Sequence, residues 1–241
     1  MEWNKIKYIN CLDEKKGLPS LPDKSIDLGL TDFPFNLGMN AKYKFKSYEG
    51  SDRINKIKKF YNDKLSPEAY ETLCFSVFEQ LKRICKGIIF TAGYKNRYMW
   101  FDREEEFDII FWVNHYRRGA TKVSQHNWFE LILCWGEFNY KFPYTVFEYN
   151  YGFNMKFDYM DLIHPHPKPL KLYKWIIESV KAKNVIDPFM GSGTTAEACI
   201  KLGIPYIGYE INTIYKHDMD LRINRGMSCI KSTKNVNYWL K

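Results

Sequence analysis

Cysteine pairs are missing from this chain. Its six cysteines (Cys11, Cys74, Cys85, Cys134, Cys199, Cys229) lie scattered with no CxxC among them, which fits neither a zinc ribbon nor a disulfide scaffold. Reduced thiols in or near the core of a cytoplasmic protein are the expectation. No apolar run is long enough to span a bilayer. The opening MEWNKIKYIN has no apolar block of the kind a signal peptide needs, so no membrane partner is expected. Repeats, low-complexity tracts and linkers are also lacking, which leaves one domain over residues 1–241. Acid is in deficit: 28 Asp and Glu face 36 Lys and Arg, a net charge of +8. That imbalance favours a polyanionic partner, most simply nucleic acid, over an acidic protein or a neutral metabolite.

What is abundant is apolar and aromatic. At 45% hydrophobic and 17% aromatic residues, the chain can fill a core, and disorder is excluded. Residues 25–31 (SIDLGLT) read as a buried strand delivering Asp32-Phe33-Pro34-Phe35 at its carboxyl end. Ser66 and Pro67 open a helix as N-cap and first helical residue. Its apolar face runs from Tyr70 to Cys85, and Gly87 is expected to close it. Strands are predicted over 88–90, 107–113, 128–134 and 206–209, and helices over 169–181 and 194–202, the last capped by Gly203. Alternating strands and helices mean an α/β fold with a mostly parallel sheet. Residues 136–163, aromatic and turn-rich, fit no element.

The most informative stretch is DPFMGSGTT, Asp187 to Thr195. An apolar lead-in (Val185-Ile186), two glycines (Gly191, Gly193) and Thr194-Thr195 read as strand, sharp turn and helix. Glycines there allow positive φ and a close approach of ligand to backbone, so a cofactor pocket is expected. Gly191 to Ala196 also matches the loose dinucleotide pattern G-x-G-x-x-A, with Glu210 at the end of the next strand. The Asp-Pro-Phe opening and the short chain beyond the turn count against a nicotinamide oxidoreductase. In Asp32-Phe33-Pro34-Phe35, a carboxylate and a neighbouring carbonyl can accept from an amine, and an aromatic ring can stack on a flat base. Taken alone, four such residues are also a buried turn with a capping Asp.

Taken together, these segments resemble the S-adenosylmethionine-dependent amino-group (N6-adenine/N4-cytosine) DNA methyltransferases, in the permuted, β-type order that puts the catalytic tetrapeptide before the glycine loop. CLDEKKGLPSLPDKSIDLGLTDFPFN (Cys11 to Asn36) resembles the approach to that family's Asp-Pro-Pro-Tyr. HPHPKPL (His164 to Leu170) resembles its His-Pro-Thr-Gln-Lys-Pro segment, and NVIDPFMGSGTTAEACIKLGIPYIGYEIN (Asn184 to Asn212) its methionine- and ribose-binding unit. HNWFELILCWGE (His126 to Glu137) is a looser match to the strand between. The resemblance implies one Rossmann-like domain with a mostly parallel seven-stranded sheet and helices on both faces. It implies Asp32, Phe33, Pro34 and Phe35 as the catalytic set. It assigns the cofactor to Asn10, Cys11, Asp32, His164, Lys168, Asp187, Pro188, Phe189, Gly191, Ser192, Gly193, Thr194, Thr195, Glu210 and Ile211. Phe33 stands where the family has proline, keeping the carbonyl but loosening φ. Phe35 replaces tyrosine, Asn10 replaces an acid, and His166-Pro167 replace Thr-Gln.

Double-stranded DNA is the implied partner. Residues 37–64 form an expected basic, aromatic loop, whose Lys42, Lys44, Lys46, Arg53, Lys56, Lys58 and Lys59 would meet phosphates. Arg117, Arg118 and Lys122 belong to an expected target-recognition segment over 114–160, short enough to suggest a brief site, a homodimer or help from the 37–64 loop. His164 and His166 have no matching cysteine or acid cluster for zinc, so no metal is expected. Adenine N6 is the preferred target because the tetrapeptide begins with an acid. Cytosine N4, a catalytically weak nucleic-acid-binding subunit, and methylation of RNA or a protein amide stand as alternatives.

Overall fold

The computed structural model describes residues 1–36, 65–93, 96–103, 105–115, 129–138, 140–149, 162, 164 and 166–236, with side chains of the last helix to Met227. The basic loop at 37–64, Arg117, Arg118, Lys122 and most of the 114–160 segment therefore lie outside the described residues.

One eight-stranded sheet organises the chain, in the order β1-β8-β7-β2-β3-β5-β4-β6. The strands are β1 (Lys5–Lys7), β2 (Ile26–Asp32), β3 (Cys85–Ala92), β4 (Asp108–Val113), β5 (Phe129–Gly136), β6 (Val146–Glu148), β7 (Val185–Asp187) and β8 (Tyr206–Tyr209). Pairing is parallel from β1 through β3, antiparallel where β5 meets β3 and β4, and parallel again at β6. Eight strands stand against the seven expected. Two strands were not foreseen: β1, with two lysines in three residues, and β6, three residues inside the turn-rich stretch. Both are edge strands, with too few residues to show a period.

Helices cover both faces, as expected. The main ones are α1 (Pro67–Ile84), α2 (Arg97–Phe101), α3 (Leu170–Val180), α4 (Thr194–Leu202) and α5 (Lys216–Val236). On one face α1 packs Cys74, Val77, Phe78 and Leu81 against Ile88 and Phe90 of β3, together with Trp100 of α2. On the other, α3, α4 and α5 bring Leu172, Ala196, Cys199 and Met219 against Leu28, Leu30 and Val185. All five described cysteines are buried and free. Among the described residues no helix is long and apolar enough to cross a membrane.

Local chemistry explains the element ends. Ser66 accepts from the Ala69 N–H as N-cap, with Pro67 in the first turn, a cap worth about 1 kcal/mol. Gly87 does not close α1. The helix ends at Ile84, and Gly87 lies within β3, where a Cβ would collide with the Phe138 ring. The glycine makes room for a packed ring there. Gly203 does cap α4, in the left-handed region at φ +69°.

The path of the chain makes a crevice. From β7 it crosses through α4 to β8 on one face; from β2 it crosses through α1 to β3 on the opposite face. β2 and β7 are parallel neighbours, so strand order reverses between them, and ligands of open α/β sheets bind outside the carboxyl ends at such a point. The two strands are held in register at both ends. At the amino ends, the Asp27 N–H donates to Asn184 Oδ1 (2.7 Å) and the Lys183 N–H to Asp27 Oδ2 (2.9 Å). At the carboxyl ends, Thr31 Oγ1 donates to Asp187 Oδ1 (2.7 Å).

Candidate active site

A crevice of about 320 Å³ opens at this switch point, lined by Asp32, His164, Lys168, Gly191, Thr194 and neighbouring residues. The carboxyl end of β2 and the glycine turn after β7, 155 residues apart in sequence at Asp32 and Asp187, thus face the same space.

The turn is built around Asp187, which is buried at 2% exposure. Its carboxylate accepts from Thr31, from the Phe189 N–H (3.0 Å) and from Thr195 Oγ1. Burial pushes its pKa up to about 6 against the pull of these donors. Asp187 thereby fixes the strand end, the turn and the start of α4. Pro188 is buried and Phe189 half-buried between them. Gly191 and Gly193 take φ of +53° and +84°, as the turn requires. A Cβ on Gly191 would lie 3.0 Å from His164 Nε2, and one on Gly193 would meet Met219 of α5 at 3.0 Å. Ser192, Thr194 and Thr195 are buried, and Thr194 Oγ1 donates to the Lys168 carbonyl (3.2 Å).

Glu210, just past β8, closes the same turn. Its two oxygens accept from the Gly191 N–H and the Asn212 N–H, each at 2.8 Å. Burial raises its pKa to about 7 while those donors hold it down. Ile211 beside it is 71% exposed. Asn10 is exposed and accepts from the Leu12 N–H (3.0 Å). The Cys11 thiol is turned into the core, where burial pushes its pKa up to about 12. Only the Cys11 backbone, whose carbonyl accepts from Leu18 (2.7 Å), remains for a turn-shaping role. His164 is held by its N–H to Asp218 Oδ2 (2.7 Å) and by an edge contact with Tyr215. Burial, with His166, Arg222 and Lys168 nearby, pushes its pKa down to about 3, so the ring is neutral. Nδ1 accepts from the His166 N–H (3.3 Å), which leaves the hydrogen on Nε2, facing Gly191.

The Asp32 carboxylate is the other wall. Thr91 Oγ1 donates to Oδ1, and Lys168 Nζ lies 3.3 Å from Oδ2. Burial, with Glu130 adding to it, raises the Asp32 pKa to about 6 against the opposing pull of Lys168 and Thr91. The Phe33 ring is buried at 2% exposure and wedged among Phe90, Trp100 and Phe189, with centroids 5.0–5.4 Å away. Those contacts fix the turn by side-chain packing where a proline would fix it by its ring. The Pro34 carbonyl accepts from Tyr70 Oη (2.6 Å) and the Phe35 carbonyl from Asn96 Nδ2 (2.6 Å). The Phe35 ring lies against Gly93 and 4.7 Å from Lys168 Nζ.

Lys168 lines the same crevice as the glycine turn. It is buried, and its Nζ donates to Glu130 Oε2 of β5 at 2.7 Å, so it faces Asp32 and Phe35. Sequence reasoning missed Glu130, Thr91, Tyr70, Asp218 and the buried Arg222–Glu197 pair (2.9 Å) that joins α5 to α4. For Glu130, the signal was an acid in the apolar strand FELILCWG, a position that calls for a partner. Among the described residues no group of three or more His, Cys, Asp or Glu could hold a metal ion.

Fold and site define a doubly wound α/β protein with a small-molecule crevice between a glycine turn and an acidic strand end. The N6_N4_Mtase family model, described as DNA methylase, matches residues 26–220, and the chain belongs to that amino-methyltransferase family. It is similar to the Type II methyltransferase M.HpaI of Haemophilus parainfluenzae, at 28% identity over 85% of this chain and 70% of that protein. Its fold matches the M1.HpyAVI–SAM complex (TM-score 0.54, 17% identity, 91% of this chain and 98% of that one). It also matches the cytosine-N4-specific PvuII DNA methyltransferase (TM-score 0.61, 17% identity, 90% and 85%). The M1.HpyAVI structure is a complex with SAM.

Proposed function

We propose that this chain methylates the exocyclic amine of a base flipped out of double-stranded DNA, with adenine N6 as the target. The observation that carries the reading is the placement of Asp32 and the Gly191–Gly193 turn on adjacent parallel strands, facing one crevice. The residues fit S-adenosylmethionine: an acid at the end of β8, a glycine cradle that a Cβ would fill, and a neutral imidazole N–H beside it. When bound, that cofactor supplies a methyl group on a cationic sulfur. Glu210 suits ribose hydroxyls, and His164 Nε2–H suits a carboxylate.

The chain's own part is alignment. Asp32 and the Phe33 carbonyl accept the two amine hydrogens and favour a more tetrahedral nitrogen, whose lone pair then points at the methyl carbon. Phe35 stacks on the base. Phe33 is the departure that argued for a non-catalytic subunit; its locked ring supports an intact turn instead. Cytosine N4 is the second reading, favoured by the likeness to PvuII DNA methyltransferase.

Mixed-sequence DNA incubated with methyl-labelled S-adenosylmethionine is the test, followed by sequencing of the modified bases. Label is expected on adenine N6. Asp32→Ala should lower turnover by about a thousandfold, as loss of a transition-state hydrogen-bonding group does, while calorimetry finds cofactor affinity nearly unchanged. Unlabelled DNA, or a variant that loses cofactor and keeps turnover, would contradict the reading.

A further inference from the structure

Lys168 is a buried ammonium between two carboxylates, 2.7 Å from Glu130 Oε2 and 3.3 Å from Asp32 Oδ2. An ammonium has three hydrogens. Two can reach these acids, which leaves one for a group entering the crevice that Lys168 lines. The Phe35 ring lies 4.7 Å from the same nitrogen. Asp32 and Lys168 therefore line one crevice, an acceptor and a donor side by side, with the Phe35 ring against the ammonium.

We propose that Lys168, positioned by Glu130, reads the ring nitrogen beside the target amine and so restricts the enzyme to bases with an amidine edge. The proposal rests on the methyltransferase reading above and extends it to base selection. Adenine presents an amine donor (N6) next to an acceptor (N1), and cytosine does the same with N4 and N3. Both fit a carboxylate–ammonium pair. At the matching positions guanine (O6, N1–H) and thymine (O4, N3–H) present a carbonyl next to a ring N–H, which sets oxygen against carboxylate and hydrogen against ammonium. A site with buried charged groups rejects such a reversed edge strongly, because both partners go unmatched. Glu130 acts through Lys168: without its carboxylate the ammonium is free to turn wholly onto Asp32 and leave the base edge.

The test uses duplexes carrying the site found by sequencing, with the target adenine replaced by 1-deazaadenine, which lacks N1, or by 7-deazaadenine, which keeps it. For a cytosine target the corresponding base is 3-deazacytosine. The wild-type protein should lose on the order of 10- to 100-fold in kcat/KM on the N1-deleted base and little on the N7-deleted one. In Lys168→Met and Glu130→Leu that penalty should shrink towards unity, and in Glu130→Gln, which keeps an acceptor, it should persist. Thermal unfolding with and without cofactor checks that each variant is folded; should one fail to fold, the wild-type comparison of the two deaza bases still decides. Equal rates on both deaza bases, or the same penalty in Lys168→Met as in wild type, would overturn this inference and leave the methyltransferase reading standing. No transfer to any natural DNA would overturn both.

Discussion

Asp32 accepts from Thr91 through one oxygen and faces Lys168 through the other, so its ionisation is governed by burial and by the charges of Lys168 and Glu130. Its pKa of about 6 has a direct consequence. The carboxylate is the stronger acceptor of an amine hydrogen, so kcat/KM should fall as pH drops through about 6. Glu130→Gln removes a negative charge that raises the Asp32 pKa, so the acidic limb should move to lower pH. A pH–rate profile of the two proteins checks it; an unmoved limb would detach that limb from Asp32. At this scale the sequence told much. Asp32, Phe35, the two glycines and Glu210 were readable because each is a chemical type that its position demands. Phe33 was only half readable: its carbonyl was evident, but its packing partners Trp100 and Phe189 are assembled by tertiary structure. Lys168 was found but its ion pair was not, because its partner Glu130 comes from another strand.

At the scale of elements, the glycine turn and the α4–α5 contact are where single changes should act through structure. Gly191→Val places a β-branched side chain at φ +53° with Cβ 3.0 Å from His164 Nε2. The left-handed conformation alone costs about 1–2 kcal/mol, and the imidazole must move from the crevice wall. Calorimetry should find S-adenosylmethionine affinity reduced at least tenfold, a factor worth about 1.4 kcal/mol. Unchanged affinity would mean the turn does not touch the cofactor. Arg222 is fully buried, donating to Glu197 Oε2 and, at 3.4 Å, to the Lys168 carbonyl. Removing Arg222 leaves Glu197 with only its weaker contact to Lys201 (3.3 Å), so Arg222→Ala should cost about 3 kcal/mol in urea unfolding, the lower end for a broken buried pair. A double change to Arg222→Leu with Glu197→Leu should recover part of that. The elements on either side of this contact differed in legibility. α1 and α3 showed apolar spacing, and α1 and α4 one recognisable cap each, Ser66 and Gly203. α5, with polar residues throughout KHDMDLRINRG, showed none, although it buries Met219 and Arg222. Its helicity follows from what it packs against.

At the scale of the whole molecule, the two crossovers on opposite faces put the cofactor turn and the acidic strand end in one crevice, and the chain's charge addresses what must come to it. Asn36 has its side-chain oxygen on the Leu65 N–H (2.8 Å) and its amide on the Leu65 carbonyl (3.1 Å). The described residues on either side of the basic stretch 37–64 therefore meet beside Asp32–Phe35, the proposed catalytic set. Lysines based there would be carried to the phosphates flanking a flipped base, and each phosphate neutralised releases bound counterions. DNA affinity should thus fall steeply with salt. Changing Lys56, Lys58 and Lys59 together to Gln should flatten the plot of log K against log salt by about 0.9 for each of the three that meets a phosphate. Cofactor affinity, set by the crevice beyond that pinned base, should not change. Fluorescence titrations of one duplex across a salt series measure the slope. An unaltered slope would place the phosphate contacts elsewhere on this +8 chain, with Arg117, Arg118 and Lys122 next to be neutralised.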